Sequence, residues 1–430
     1  MASVPNTTTF TSPHPKTFSV AIIGGGIGGL CLAIGLSKYP QIDSHVYESA
    51  PSFGEIGAGV ALGPNGQRAM ELIGPNAKEA FDRHATGNMW PSHANNFAVH
   101  IVGKGEHENE LIHSQKNATG MQSVHRAHFL DELVKLVPAQ RAHFNKRLIS
   151  ITDEPGKEVV MRFKDGTTAI ADAVIGADGI HSAVREYLLG KEEGQAVFSG
   201  TVCYRGLVPM DAAVEKLGAE FAQNSTMICG PGKAILSYPI DHGATFNVAA
   251  MDYEHPHWEQ EKAIVPAKRE ELDRLFQDWG TKTQHIVDLL DTPNLATWSI
   301  WEVPPISTYT QSRVCMLGDA AHATTPFQGQ GAGQAIEDAL VLSTLLSKIN
   351  NPASEIPNAF TAYDQVRRPR SQRVVKTSRE AGDLYGMKAP NVGDDLGKMA
   401  EAMATRMHWI WQRDMSAQNR EAVELFEESL

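Results

Sequence analysis

Apolar and polar positions follow three patterns along this chain, and each predicts a different element. Phe18-Ser19-Val20-Ala21-Ile22-Ile23 is a short apolar, β-branched run of the kind that makes a buried parallel strand. It leads straight into Gly24-Gly25-Gly26-Ile27-Gly28-Gly29, after which Leu30, Ala33, Ile34 and Leu36 supply the apolar face of a helix. His45-Val46-Tyr47 predicts a second strand, ending at Glu48. Residues 173–176 and 313–317 predict two more strands, each entering a turn of small and polar residues. Beyond the second turn, Ala332, Ala335, Ile336, Ala339, Leu342, Leu345 and Ile349 recur at three or four residues, which predicts a helix with one apolar face. Between about 190 and 295 the pattern changes to short alternating strands, clearest at 234–238 and 245–250 around the turn-rich Asp241-His242-Gly243.

The first glycine run satisfies GxGxxG at Gly24, Gly26 and Gly29. Such a turn needs one glycine to bend tightly, one to let backbone approach a pyrophosphate, and one to let helix and strand pack closely. The helix N-terminus then faces the phosphates. Glu48 stands at the distance where an acidic side chain usually binds ribose hydroxyls. A bend of purely structural purpose is the competing reading of the glycines alone. The motif does not distinguish NAD from FAD. The uncharged run from Phe18 to Ser37 is about long enough to span a bilayer, but the glycines divide it into strand, turn and helix.

Three motifs in order give the chain a wider resemblance: the GxGxxG at Gly24, Asp178-Gly179 within the segment ending at Arg185, and Gly318-Asp319 with His322 and Pro326. It resembles, over nearly its full length, the single-component flavin-dependent aromatic hydroxylases, the group that includes para-hydroxybenzoate and salicylate hydroxylases. The resemblance implies an α/β fold like that of para-hydroxybenzoate hydroxylase. A Rossmann-like FAD-binding domain (17–80, 115–189 and 296–360) would carry an inserted antiparallel-sheet substrate domain (81–114 and 190–295) and a C-terminal helical region (361–430). It also implies FAD as cofactor, held by Gly24, Gly26, Gly29, Glu48, Arg126, Asp178 and Asp319, with Gly331 and Ala332 beside the flavin ring and Pro326 facing its oxygen-reactive carbon. NADH or NADPH would be the cosubstrate. No second GxGxxG follows a strand, so a separate domain for the reductant is not evident.

In the substrate segment, Arg205 sits in a stretch short of charge and Tyr238 in an apolar strand. A cation and a phenolic donor together favour a phenolate over a phenol, and a phenolate directs electron density onto its ortho and para carbons. A surface ion pair and a half-buried sheet aromatic are the structural readings of the same residues. Local likeness around Tyr204-Arg205-Gly206 and 325–331 is closest to fungal salicylate hydroxylases, which implies oxygenation of salicylate to catechol with loss of carbon dioxide. Hydroxylating dearomatisation of a resorcylaldehyde-type polyketide and a non-catalytic binding protein on the same fold are the alternatives. His322 reads as a structural hydrogen-bonding residue, Arg367-Arg368-Pro369-Arg370 as a solvated helix edge or a contact between units, and Trp409 and Trp411 as packing for a terminal helix.

Composition narrows the partners. A formal net charge of -12 argues against nucleic acid, whose binding rests on Lys and Arg neutralising phosphates. With 42% hydrophobic residues in 430, a large core and a globular, cytoplasmic protein are expected. The scattered Cys31, Cys203, Cys229 and Cys315 suggest neither a zinc site nor a disulfide framework. Residues 1–16, rich in Ser, Thr and Pro, read as a flexible arm. The expected partners are a small phenolic or aromatic-acid substrate and O2, with no stable membrane association and a monomer or homodimer as the assembly.

Overall fold

The computed structural model describes residues 17–54 and 59–430; the arm expected at 1–16 lies outside the described residues. The Phe18–Ile23 strand takes the centre of a sheet because it has almost nothing polar to offer water on either face. Ile42–Tyr47 and Ala173–Gly176 flank it in parallel, with Ile22 opposite both Val46 and Ile175. Among the described residues the sheet order is Thr310–Gln311, Val314–Met316, Ala173–Gly176, Phe18–Ile23, Ile42–Tyr47 and Ala142–His143, and the edge pair at 310–316 is antiparallel. The carboxyl ends of its central strands finish together. Gly24 N–H donates to Tyr47 O at 2.9 Å, Ala177 N–H to Ile23 O at 2.7 Å and Leu317 N–H to Gly176 O at 2.8 Å. Ligands of open α/β sheets bind just beyond such ends.

A second sheet runs Ile264–Pro266, Ala296–Glu302, Val197–Pro209, Thr245–Asp252, Lys233–Ile240, Thr226–Gly230, Asn96–Val102 and Leu111–Lys116. It is antiparallel as expected, except that Thr226–Gly230 and Asn96–Val102 pair in parallel. The Ala296–Glu302 strand, expected in the nucleotide unit, belongs here: Trp298 stands opposite Cys203 and Thr297 opposite Tyr204. Its alternating pattern pairs it with a strand almost 100 residues earlier, which no local signal shows. The expected boundaries after 80, 114, 189 and 360 all fall inside elements, namely Pro75–Asp82, Leu111–Lys116, Ala183–Glu193 and Pro352–Tyr385.

The Gly331–Leu346 helix packs against Ile27–Leu36 so closely that a Cβ on Gly28 would lie 2.7 Å from Leu317 and 3.2 Å from Ala335. Instead of a single apolar face, nearly the whole helix is buried, including Gln334, Glu337 and Asp338. Two adjacent carboxylates without water need countercharge. Arg367, expected at a solvated edge or a contact between units, provides it and is fully buried. Its Nε donates to Asp338 at 2.7 Å, its Nη1 to Glu337 at 2.5 Å and its Nη2 to the Gln334 side chain at 2.8 Å. Arg370 adds a bidentate pair to Glu337 at 2.7 and 2.9 Å. The other Asp338 oxygen receives the Gly318 N–H at 2.9 Å and pairs with His322 at 2.6 Å. Burial alone would raise both carboxyls. Arg367 and Arg370 hold Glu337 below its ordinary value, and His322 with Arg367 does the same for Asp338.

Arg367→Met would leave this carboxylate pair short of a cation, and should lower stability by about 3–5 kcal/mol in urea unfolding. The folded-state values of Glu337 and Asp338 are depressed, so their contribution is fully present above the unfolded values, roughly pH 4–4.5, and is lost as pH falls through the folded ones. Asp338→Asn should therefore flatten the acid limb of the stability profile; an unaltered limb would exclude this role.

Candidate active site

A cavity of about 890 Å³ opens at the carboxyl ends of the parallel strands and is roofed by the second sheet. At its first wall the Gly24 φ of +109° is open only to glycine, and a Cβ there would lie 2.3 Å from Ala177 O. A Cβ on Gly29 would lie 2.1 Å from Gly24 O. Gly26, the N-cap of the Ile27–Leu36 helix, is different, since a Cβ there meets no protein atom within 4 Å and would project into open space. Backbone at a helix N-terminus with a clear approach suits a pyrophosphate. Glu48 is fixed beside this turn by the Gly25 N–H at 2.8 Å and the Ala50 N–H at 2.7 Å.

The second and third motifs are fastened to each other. Asp178 accepts from the Ser182 hydroxyl at 2.5 Å and the Ala183 N–H at 2.7 Å, so it caps its own loop. Burial raises its carboxyl, and these hydrogen bonds oppose part of that. Arg185, buried, donates to the carbonyls of Ile180, Gly194 and Ala320, the last at 2.8 Å, and so binds the Asp178 loop to the Asp319 loop. Asp319 itself turns an exposed carboxylate toward the cavity, after Gly318 at φ +59°. Opposite it, Gly331 and Ala332 begin the long buried helix, with Pro326 in the loop before it. This N-terminus suits the electron-rich edge of a reduced flavin.

The roof supplies Arg205 and Tyr238. The Arg205 guanidinium lies 5.3 Å from the Trp298 ring centroid and donates to Gly59 O at 3.3 Å. Tyr238 is almost fully buried beside the same Gly59, where a Cβ would lie 2.7 Å from its hydroxyl. Burial raises the Tyr238 phenol and Arg205 offsets only part, so at neutral pH it is a hydrogen-bond donor. Phe327, Met227 and Leu236 make the surrounding wall apolar.

The cavity gathers every site residue expected from the sequence: Gly24, Gly26, Gly29, Glu48, Arg126, Asp178, Asp319, Gly331, Ala332, Pro326, Arg205 and Tyr238 all line it. Arg126 does so as the first residue of the Arg126–Val134 helix. His322 does not, being buried against Asp338. Sequence reasoning missed the Arg185 clamp, although Arg185 closes the segment that carries Asp178. It also missed the Glu337–Asp338 partners of Arg367, for which two adjacent acids in an otherwise apolar helical pattern were the available signal. Among the described residues, no group of three or more His, Cys, Asp or Glu could hold a metal ion, and no helix is long and apolar enough to cross a membrane.

A family model described as FAD binding domain matches residues 17–378, and the chain belongs to that family. It is 49% identical over 414 residues to the 6-methylsalicylate 1-monooxygenase of Aspergillus terreus, covering 95% of this chain and 92% of that one. Identity to a salicylate hydroxylase of Pseudomonas putida is 36% over 419 residues, covering 94% and 93%. The structure of a salicylate hydroxylase in a substrate complex matches with a TM-score of 0.85 at 32% identity, covering 95% and 98%. The protein is an FAD-dependent monooxygenase of the salicylate hydroxylase type. Its cofactor is FAD, and NAD(P)H is the reductant typical of the family.

The two glycines should separate folding from cofactor binding. Gly29→Ala, with its Cβ against Gly24 O, should destabilise the apoprotein. Gly26→Ala should leave apoprotein stability near wild type yet weaken FAD by roughly tenfold or more, because its methyl meets only the ligand. Fluorescence titration with FAD, alongside unfolding of the apoprotein, checks both; equal FAD affinity in Gly26→Ala would remove that glycine from the phosphate site.

Proposed function

We propose that this monooxygenase acts on a salicylate-type ring, an ortho-hydroxybenzoate, placing oxygen at the carboxylate-bearing carbon and releasing carbon dioxide. The observation that carries this reading is the Arg205–Tyr238 pair. It sets a cation and a phenolic donor together on the roof, in the cavity that Pro326 also lines, in a chain half identical to an enzyme named for 6-methylsalicylate. FAD, when bound, supplies the two-electron chemistry that activates O2. For salicylate the balance is salicylate, O2, NAD(P)H and two protons to catechol, carbon dioxide, NAD(P)+ and water. The new C–O bond forms at the carboxylate-bearing carbon, whose bond to the carboxyl then breaks and returns its electron pair to the ring.

Gly24, Gly26 and Gly29 with Glu48 hold the adenosine and pyrophosphate end of the cofactor in this reading, and Arg126, Asp178 and Asp319 its middle. Gly331 and Ala332 present N–H groups to the ring edge, and Pro326 shapes the peptide facing the reacting carbon. Arg205 offsets the charge of the phenolate or carboxylate, and the Tyr238 hydroxyl donates to the ring oxygen. The apolar wall keeps water from the reacting atoms.

Incubation of the purified holoenzyme with NADH or NADPH, O2 and either salicylate or 6-methylsalicylate should yield the corresponding catechol and carbon dioxide. Peroxide alone from both compounds would exclude the reaction. Arg205→Ala should keep FAD bound but lower kcat/KM by roughly 10–100-fold, the range expected for losing a hydrogen bond to a charged group. Wild-type kcat/KM in that variant would take Arg205 out of the site.

A further inference from the structure

The cavity face of the roof is ordered in rows across its strands. One row runs Arg205, Ala249, Leu236, Met227 and His100, each opposite the next. Tyr238 lies one step along its strand from Leu236 on the same face, and Gln115 stands opposite Ala98 on the far edge. Apolar side chains fill the middle of the rows. Arg205 and Tyr238 stand one strand apart but reach the same Gly59, so polar groups collect at two poles, Arg205 with Tyr238 at one and His100 with Gln115 at the other. A single strand separates those of Tyr238 and His100, a span of roughly 10 Å that leaves room for one substituted ring.

His100 is 1% exposed and Gln115 5%, yet both line the cavity, and among the described residues neither His100 Nδ1 nor Gln115 Nε2 has a hydrogen-bond partner. Buried polar atoms are nearly always paired, and two orphans on neighbouring strands facing one cavity point to a ligand atom between them. Neither of these two side chains carries a charge. Burial pushes His100 down to about 3, with the neighbouring His113 and Arg406 acting in the same direction and a hydrogen bond to the His113 backbone opposing part of it; Arg406 does not line the cavity. A neutral ring nitrogen able to accept and an amide N–H able to donate match a hydroxyl, which does both. A carboxylate finds its countercharge at Arg205 instead.

We propose that His100 and Gln115 form a second recognition pole that binds a further hydroxyl of the substrate ring, on the side away from Arg205 and Tyr238. The ring class rests on the reading above; the added hydroxyl goes beyond it and makes a dihydroxybenzoate a better ligand than salicylate.

Titration of the FAD-loaded enzyme, followed by perturbation of flavin absorbance, compares salicylate with 2,3-, 2,4-, 2,5- and 2,6-dihydroxybenzoate. One isomer should bind roughly tenfold or more tighter than salicylate, because a site built for a hydroxyl discriminates against the ring that lacks it. His100→Phe and Gln115→Leu should each bring that ratio toward one, and His100→Gln, still neutral and hydrogen-bonding, should retain part of it. The proposal is overturned if no isomer outbinds salicylate, if the ratio survives in the Phe and Leu variants, or if these variants weaken every ligand alike. Because the titration reads binding, a failure to release carbon dioxide would count against the reaction proposed above and not against this pole. Should one variant fail to retain FAD, the wild-type ratio and the other variant decide.

Discussion

The active-site floor depends on a pair of carboxylates that have been taken out of water. Glu337 and Asp338 sit two turns into the buried helix, and the Arg367 guanidinium reaches both, with Arg370 doubling the contact to Glu337. An ion pair of this kind adds little net stability over an apolar replacement, but losing one partner is strongly destabilising, so it acts as a constraint on geometry. What it constrains is the cavity. Asp338 holds the Gly318 N–H and His322, which positions the loop carrying Asp319, while Glu337 receives Asn65 and Gln334 close to the helix start at Gly331. The C-terminal helix joins the same network through Gln418.

A second fastening works across the floor. Arg185 donates to Ile180 O in the Asp178 loop, to Ala320 O in the Asp319 turn and to Gly194 O at the end of its own helix, so hydrogen bonds join the two motifs. In the roof, Arg205 rests on Trp298 and on the Gly59 carbonyl, and among the described residues its Nε has no partner. Hydrogen bonds join the loops of the floor, while the roof keeps free hydrogen-bonding capacity at Arg205 Nε among the described residues.

The same division explains how chemistry is assigned to the two sheets. The parallel sheet offers backbone, helix ends and glycines, which recognise phosphates whatever the attached base. The roof offers side chains that alternate across each strand, so one face can be almost wholly apolar and still carry four polar groups at chosen rows.

How much of this was legible in the sequence follows from how local each cause is. The Phe18–Ile23 strand, its glycine turn and the helix after it could be read directly, because the tight bend and close approach at Gly24 and Gly29 are demands made within a dozen residues. The same holds for the Asp178 and Asp319 turns and for the hairpin around Asp241-His242-Gly243. Tertiary structure alone decided the rest. Arg367 looks like a surface cation until Glu337, 30 residues earlier, is buried against it. Ala296–Glu302 looks like part of the nucleotide unit until it pairs with Val197–Pro209. His100 and Gln115 carry no motif at all; their meaning comes from the strand register that turns both toward one cavity and leaves them unpaired there. Short-range sterics are written in neighbouring residues, whereas the charge of a side chain's surroundings exists only once distant segments have packed.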